Sequence, residues 1–280
     1  MPELPEVETL RRGLEKYVVG HTIKNVEIQH PGVIQGDAKN ILGAKILKAR
    51  RIGKGLILDL SNNISLGIHV KLTGQLIYRD EQTKNIPVSP LKVKTVPNAF
   101  THVIFDLDPN AKLYYNDQRR FGWIKIVPTD SILDLPFFKN MGPEPFKDLT
   151  LEKFIDILKN KITKVKPLIM DQEVIGGIGN IYANDALFRA KINPSRPAKS
   201  LSSPEIKLLY ESIIAVMEKS FEEGGASELS FVNILGQEGN YQRHSLVYAK
   251  DGQKCPRGDG IIKRITLGGR GTFFCKNCQV

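Results

Sequence analysis

Cysteine is scarce in this sequence, with three residues among 280. The N-terminus MPELPEVETL is charged and is not a secretory signal, so these few cysteines argue against a disulfide framework and predict a protein of the reducing cytosol. No apolar run approaches the roughly 20 residues that a membrane-spanning helix needs. Disulfide-rich secreted proteins and integral membrane proteins are therefore excluded, while the apolar fraction of 41% is ordinary for a globular protein.

Acidic residues are also in short supply, because 30 Asp and Glu face 40 Lys and Arg and leave a formal net charge of +10. A surplus of this size is typical of proteins that bind nucleic acid. Plain solubility and attraction to an anionic membrane are the two other interpretations. The charge indicates a class of partner and says nothing about chemistry.

The first 130 residues predict a helix followed by a β-sandwich. Apolar residues of the segment 4–18 fall on one stripe, which indicates a helix with one buried face. Two hairpin patterns follow, LILDL with ISLGIHV and THVIFDL with AKLYY, each pair separated by a short polar turn. The segment 81–98 is polar and proline-rich, which is typical of a loose loop.

After Thr150 the apolar residues recur with a helical period. Asn180 is placed to cap a second helix, and a long third helix begins at Ser203 and ends before Gly224. The last forty residues return to short strands around the cysteines. The sequence thus predicts an α+β protein with four parts: helix and sandwich over 1–130, a linker over 131–148, a helical domain over 149–236 and a hairpin module over 237–280.

Pro2 and Glu3 have the chemistry of a covalent catalyst. If the initiator Met is removed, Pro2 offers a secondary amine, and an α-amino group with a pKa of about 7.7–8.0 is already about one-tenth unprotonated at neutral pH. Such an amine attacks a sugar C1′ to form an iminium, with Glu3 adjacent as general acid–base. The plainer interpretation is an ordinary terminus followed by an acidic residue at a helix start.

Five segments, in the same order, decide between these interpretations. These segments resemble the signatures of the formamidopyrimidine-DNA glycosylase family. They are PELPEVET at the N-terminus, DQRRFGW at 117–123, GPEP at 142–145, KPLIMDQEVIGGIGNIYANDALF at 166–188 and GGRGTFFCKNCQ at 268–279. The resemblance covers essentially the whole chain. It implies an N-terminal helix and β-sandwich, then a helix–two-turn–helix domain, then a β-hairpin zinc finger, with damaged duplex DNA bound between the two main parts.

The resemblance also implies catalytic roles. Pro2 is expected to be the Schiff-base nucleophile, Glu3 its acid–base partner, Lys54 an aid to β-elimination, and Arg270 a phosphate ligand linked to δ-elimination. Taken without the resemblance, Lys54 is a solvated lysine at a strand end and Arg270 a generic phosphate contact.

Two further groups of residues are expected to bind DNA. Lys161, Lys166 and Asn180 match backbone contacts, and the glycines at 176–179 lead into a helix start whose N–H groups suit a phosphate. Leu72, Arg119 and Phe121 match the residues that fill the gap left by an extruded base. The alternatives are a capped helix with a solvated lysine face, and for Phe121 a core aromatic of the same strand parity as Trp123.

The chain departs from the family pattern at four places. Leu72 replaces a Met, Phe100 replaces a His, and Asp185 replaces a Glu, which shortens that side chain by one methylene. In the finger, Cys255, Cys275 and Cys278 are present, but Gly258 stands where the fourth cysteine belongs. Asp259 or a water is the candidate fourth zinc ligand, and a metal-free hairpin is the alternative.

The resulting hypothesis is a bifunctional glycosylase and abasic-site lyase that acts as a monomer in the bacterial cytosol. It is expected to excise 8-oxoguanine and formamidopyrimidines through a Schiff base at Pro2 and then to cleave the abasic site by β,δ-elimination. One alternative is a relative that prefers oxidised pyrimidines, although that group usually begins P-E-G-P-E. Another is a lesion-binding protein without catalysis. The lesion loop is expected within 228–242, and it does not reveal the preferred lesion.

Overall fold

The computed structural model describes residues 1–258 and 260–280 of the chain. The chain divides into two compact units, the first formed by Met1–Lys139 with Ser220–Gln242 and the second by Asn140–Lys219 with Arg243–Val280. Among the described residues, no helix combines the length and apolarity that crossing a bilayer requires.

The first unit contains a helix and two sheets, as predicted. Helix α1 spans Leu4–Tyr17 and ends within a residue of the predicted position. The four-stranded sheet has the order β1-β7-β8-β6 and the five-stranded sheet the order β2-β9-β5-β4-β3. Their strands are β1 Ile23–Ile28, β2 Ile34–Gln35, β3 Ile46–Ile52, β4 Gly55–Leu60, β5 Ile64–His69, β6 Gly74–Arg79, β7 Thr101–Leu107, β8 Ala111–Asp117 and β9 Trp123–Pro128.

Both predicted hairpins are confirmed, since β4 pairs antiparallel with β5 and β7 pairs antiparallel with β8. Asn63 and Asn110, with φ of 61° and 56°, supply the left-handed backbone of the two turns. One buried apolar cluster contains residues from all three parts: Leu10 of α1, Leu58 of one sheet and Phe105 of the other. The helix and both sheets therefore share a core, which fixes the start of α1 to the sandwich.

The segment Ser220–Gln242 belongs to the first unit, whereas the sequence placed residues up to 236 with the helical domain. Its apolar residues Phe231 and Ile234 lie in the sandwich core. Its main chain is also tied there, because Tyr78 N donates to Ile234 O at 2.8 Å. The segment therefore packs with the sandwich, through its buried apolar residues and these hydrogen bonds, although it follows the helices in the sequence.

The segment 81–98 is more ordered than the loose loop that its composition predicts. Val93 is buried. Ser89 N donates to Gly236 O at 2.7 Å, and Ser89 Oγ donates to Glu238 Oε1 at 2.5 Å. Irregular backbone is thus held by packing and by hydrogen bonds that no local pattern reveals.

The second unit contains the predicted helices and a C-terminal hairpin. Thr150 caps the first of its helices by accepting from Lys153 N at 3.3 Å. Gly268 and Gly269, with φ of 56° and 71°, form the two-residue turn between the hairpin strands. The elements from residue 136 onward are α2 Pro136–Lys139 in the first unit, α3 Leu151–Leu158, α4 Val165–Met170, α5 Asn180–Arg189, α6 Ser203–Glu222, α7 Tyr241–His244, β10 Ile262–Leu267 and β11 Arg270–Cys275.

One helix start differs from the prediction. The residue that caps α5 is Gly179, and Asn180 is the first residue inside the helix. The Asn180 side chain is engaged elsewhere, because its Oδ1 accepts from Lys166 Nζ at 2.6 Å. A buried ammonium has therefore taken the amide oxygen that the capping pattern would have used.

Candidate active site and nucleic-acid interface

Pro2 and Glu3 are both buried at the N-terminus of α1. Glu3 has extended backbone and is the last residue before the helix. Its backbone N–H donates to Glu6 Oε2 at 2.7 Å, and Glu6 Oε1 accepts from Ala226 N at 2.8 Å. One buried carboxylate thus fixes the main chain beside Pro2 to the segment Ser220–Gln242. Sequence reasoning missed Glu6, although an acidic residue three positions into a helix is a known partner of the capping residue.

Lys54 lies in the tight turn between β3 and β4, preceded by Gly53 with a φ of 55°. Its side chain is only 3% exposed, so the interpretation as a solvated strand-end lysine is wrong. Helix α1 packs on β3, where Arg51 Nε donates to Glu8 Oε2 at 3.2 Å. The helix that begins beside Glu3 and the turn that carries Lys54 therefore belong to packed neighbouring elements.

His69 is a buried residue at the end of β5 that the sequence did not single out. Burial, together with the charges of Lys71 and Lys54, lowers the pKa of His69 to about 3, so the imidazole is neutral at pH 7. Its Nδ1 accepts from Lys71 N at 2.8 Å. His69 thereby holds the turn that carries Leu72.

Arg119 and Phe121 are exposed on a turn that follows β8. Phe121 is 58% exposed, so the interpretation as a core aromatic is wrong. The Arg119 guanidinium lies over the Phe121 ring, 4.6 Å from its centroid. Phe100, which replaces a family histidine, is also exposed, and its carbonyl accepts from Asp117 N at 2.9 Å. An arginine and two aromatics are thus accessible at this end of β8.

In the second unit, Lys161 is exposed between α3 and α4, whereas Lys166 is 1% exposed. Lys166 Nζ donates to Asn180 Oδ1 at 2.6 Å, Thr272 Oγ1 at 2.8 Å and Gly271 O at 3.3 Å. An ammonium has three N–H donors, and these contacts offer an acceptor for each. A phosphate contact by Lys166 stays a prediction, and the structure gives the side chain a second role, which is to join the start of α5 to β11.

Arg270 is exposed at the tip of the hairpin, immediately after the Gly268–Gly269 turn. The hairpin is fixed to α5 by Asn184, whose Oδ1 accepts from Phe273 N at 2.8 Å. The neighbouring Asp185 accepts from Leu246 N at 3.0 Å and Val247 N at 2.9 Å. The shorter carboxylate at position 185 therefore still accepts from backbone N–H groups, those of two residues that precede the hairpin in the sequence.

Cys255, Cys275 and Cys278 come together, with their sulfur atoms within 4.8 Å of one another. The Cys255 and Cys278 sulfurs are 3.8 Å apart, which is about the separation of two thiolates on a tetrahedral zinc with Zn–S bonds of about 2.3 Å. Three of the four ligands of a structural zinc site are thus in place and fit the ion. Asp259, the candidate fourth ligand, lies outside the described residues.

Arg257 is a second residue that sequence reasoning missed. Its guanidinium donates to Phe188 O at 2.8 Å and Arg189 O at 3.1 Å, which are carbonyls at the end of α5. The same group lies 3.8 Å from Cys278 Sγ. A cation at a helix C-terminus is stabilising, so this arginine links the cysteine cluster to α5.

Family models match the chain in three places. The formamidopyrimidine-DNA glycosylase N-terminal domain matches residues 1–124, the H2TH domain of the same enzymes residues 141–231, and a zinc finger found in FPG and IleRS residues 252–280. A formamidopyrimidine-DNA glycosylase of Pelotomaculum thermopropionicum is 40% identical over all of this chain and 99% of its own length.

Solved structures of similar proteins agree with these matches. Lactococcus lactis Fpg in complex with DNA containing N7-benzyl-Fapy-dG is 34% identical, with a TM-score of 0.87 over 99% of each chain. The same protein in complex with DNA containing an abasic site is 33% identical, with a TM-score of 0.86 over 99% of each chain. Sequence and fold therefore agree over the full length, and the chain belongs to the formamidopyrimidine-DNA glycosylase family.

Proposed function

We propose that this protein removes oxidised purines, namely 8-oxoguanine and formamidopyrimidines, from duplex DNA and then cleaves the resulting abasic site. The observation that carries the proposal is the burial of Pro2 and Glu3 at the start of α1, in a chain 40% identical over its full length to a formamidopyrimidine-DNA glycosylase. The Lactococcus lactis relative is described in complex with abasic DNA, and a mutant of it in complex with DNA that contains Fapy-dG.

In the proposed reaction the amine of Pro2, released by removal of Met1, attacks C1′ of the damaged nucleotide. The N–C1′ bond forms, the glycosidic bond breaks, and the base leaves with a proton, which Glu3 supplies or relays. The C1′–O4′ bond then breaks, O4′ takes up a proton, and the iminium of Pro2 forms. This iminium is the electron sink for β-elimination, in which C2′ loses a proton and the 3′ phosphate departs, and then for δ-elimination, in which C4′ loses a proton and the 5′ phosphate departs. Lys54 assists the first elimination and Arg270 holds a phosphate during the second.

Binding depends on cationic and backbone N–H groups. Lys161, Asn180 and the start of α5 hold phosphates on either side of the lesion, with Lys166 supporting them. Leu72, Arg119 and Phe121 fill the gap left by the extruded base, and Arg119 donates to the orphaned cytosine. The protein acts as a monomer in the bacterial cytosol.

Borohydride trapping tests the proposed reaction. Duplex DNA with 8-oxoguanine opposite cytosine, incubated with protein lacking Met1, should give a covalent adduct, because borohydride reduces the iminium to a stable amine. A protein with an uncleaved residue before Pro2 is the matched control, since its Pro2 nitrogen is an amide and should trap nothing. Absence of an adduct with the fully processed protein would remove the enzymatic proposal. A stronger adduct with an oxidised pyrimidine would favour the sister activity.

The cysteine cluster is proposed to hold one structural zinc ion, with Asp259 or a water as the fourth ligand. By coordinating these thiolates, zinc would link the segment before β10, which carries Cys255, to the end of β11 and the residues after it, which carry Cys275 and Cys278. Purified protein should contain about one zinc per chain, and Cys278→Ser should lose it, since two thiolates leave the site half empty. Thiol titration should find all three cysteines protected until a chelator is added. A zinc content near zero, with lyase activity unaffected by chelator, would instead support a metal-free hairpin.

A further inference from the structure

Three segments of the first unit that carry DNA-facing candidates are joined by side-chain hydrogen bonds. They are the leucine turn (residues 70–74, with Leu72), the arginine turn (residues 117–122, with Arg119 and Phe121) and the serine segment (residues 226–231). Each of these hydrogen bonds has a side-chain donor or acceptor, unlike the backbone hydrogen bonds of the sheets. Each therefore depends on one particular side chain.

The arginine turn is organised by Asp117, which is fully buried. Its Oδ2 accepts from Gly122 N at 2.7 Å, and its Oδ1 accepts from Arg119 N at 3.2 Å. Between these positions Arg120 has a φ of 58°, a left-handed conformation that a residue of this size rarely adopts. The carboxylate therefore holds a turn that the backbone alone would not favour.

Thr73 of the leucine turn completes this arrangement. Its hydroxyl donates to Asp117 Oδ1 and accepts from Arg119 N at 3.0 Å. A hydroxyl can do both at once, whereas an apolar side chain can do neither. The backbone N–H of Arg119 is thus hydrogen-bonded to Thr73, the residue that follows Leu72.

The leucine turn is also bonded to the serine segment. Ser230 Oγ donates to Leu72 O at 2.5 Å, and Gln75 Nε2 donates to Ser230 O at 2.8 Å. The serine segment lies where the sequence predicts the start of the lesion loop. Arg119 is therefore connected to Ser230 by a hydrogen bond to Thr73, the peptide bond between Thr73 and Leu72, and a hydrogen bond from Ser230 to Leu72.

We propose that Thr73 is a positioning residue for opposite-base selection, and that its hydroxyl couples the arginine turn to the leucine turn and the serine segment. The inference rests on the proposed function, in which Arg119 contacts the orphaned cytosine. Without the hydroxyl, Arg119 N and Asp117 each lose a partner, and the arginine turn relaxes independently of the leucine turn. Arg119 then reaches cytosine and adenine with similar geometry, so discrimination falls even though the side chain itself is unchanged.

The test compares Thr73→Val, which keeps the shape of the side chain and removes the hydroxyl, with Thr73→Ser, which keeps the hydroxyl. The readout is the equilibrium affinity for duplexes that carry a tetrahydrofuran abasic analogue opposite cytosine or opposite adenine. For Thr73→Val we expect the ratio of the two affinities to fall by roughly tenfold relative to the wild-type chain, the effect of losing one well-made hydrogen bond. Thr73→Ser should retain the wild-type ratio.

A purely structural role would weaken binding to both duplexes equally and leave the ratio unchanged, and that result would overturn the proposal. An equal loss in Thr73→Ser and Thr73→Val would overturn it too. Should Thr73→Val fail to fold, Thr73→Ala removes the same hydroxyl without a β-branched side chain and should lower the ratio similarly. Because the analogue cannot react, these affinities are independent of trapping, so failure of the catalytic proposal and failure of the coupling are separate results.

Discussion

Glu3→Gln should slow release of 8-oxoguanine by roughly 10²–10⁴-fold, which is the usual contribution of a positioned general acid–base. The amide keeps the volume of the buried side chain but neither gives nor takes a proton at neutral pH. Single-turnover excision from duplex DNA measures the effect. Trapping on a preformed abasic site should suffer less, because there the base has already departed and the sugar is in equilibrium with its open aldehyde.

Glu15→Gln is the matched control, since it makes the same chemical change near the other end of α1, the helix that Glu3 precedes. Glu15 is half-exposed and accepts from Ala49 N at 3.1 Å, a bond that a glutamine carbonyl also accepts. Its excision rate should equal that of the wild-type chain. Equal rates for Glu3→Gln and Glu15→Gln would remove Glu3 from the mechanism.

Lys166→Met should lower the free energy of unfolding of the second unit by about 2–4 kcal/mol. Met fills most of the space but removes the ammonium that three acceptors share, and a buried polar group that loses its partner costs about 1–3 kcal/mol. Asn180 Oδ1 keeps a second donor, Asn184 Nδ2 at 3.3 Å. Asn180 and Thr272 recover part of this by turning, so the sum stays below three full penalties. The measurement is the midpoint of urea unfolding followed by a probe in the second unit.

Lys164→Met provides the control, because Lys164 is exposed two residues earlier in the chain and its loss should change stability by no more than about 0.5 kcal/mol. Lys161→Ala should leave stability unchanged too, but it should reduce the slope of log affinity against log salt concentration by about 0.9 if the lysine contacts one phosphate. Identical urea midpoints for Lys166→Met and Lys164→Met would show that the buried hydrogen bonds of Lys166 contribute nothing to stability.

Apolar periodicity predicted the elements well, since the stripe from Leu4 to Val18 became α1 and two hairpin patterns became strand pairs. Those signals are local, because they depend on which face of an element is buried. The partner of a charged side chain is decided by distant parts of the chain. The sequence accordingly gave no sign that Lys166 is buried against β11 or that Arg257 caps α5.

The residues of the candidate site fall into the same two groups, those that a local motif identifies and those whose role depends on contacts with distant residues. Pro2, Glu3 and Arg270 were identified from motifs, and the structure places Arg270 at an exposed hairpin tip, directly after the Gly268–Gly269 turn. Glu6, Thr73 and Asp117 were not selected, because their importance comes from backbone N–H groups and side chains that only the folded chain brings to them. The reassignment of Ser220–Gln242 has the same origin, since its contacts with the rest of the first unit join distant residues, 155 positions apart for Gln75 and Ser230 and 220 for Glu6 and Ala226.

The bond between Glu6 and Ala226 also has a consequence for the order of events on the ribosome. These residues are 220 positions apart, so at synthesis rates of about 5–20 residues per second the bond cannot form until roughly 10–40 s after Glu6 is made. Throughout that interval the first residues lack the contact that later fixes them. An aminopeptidase therefore has tens of seconds to remove Met1 from a mobile nascent chain, before folding buries Pro2.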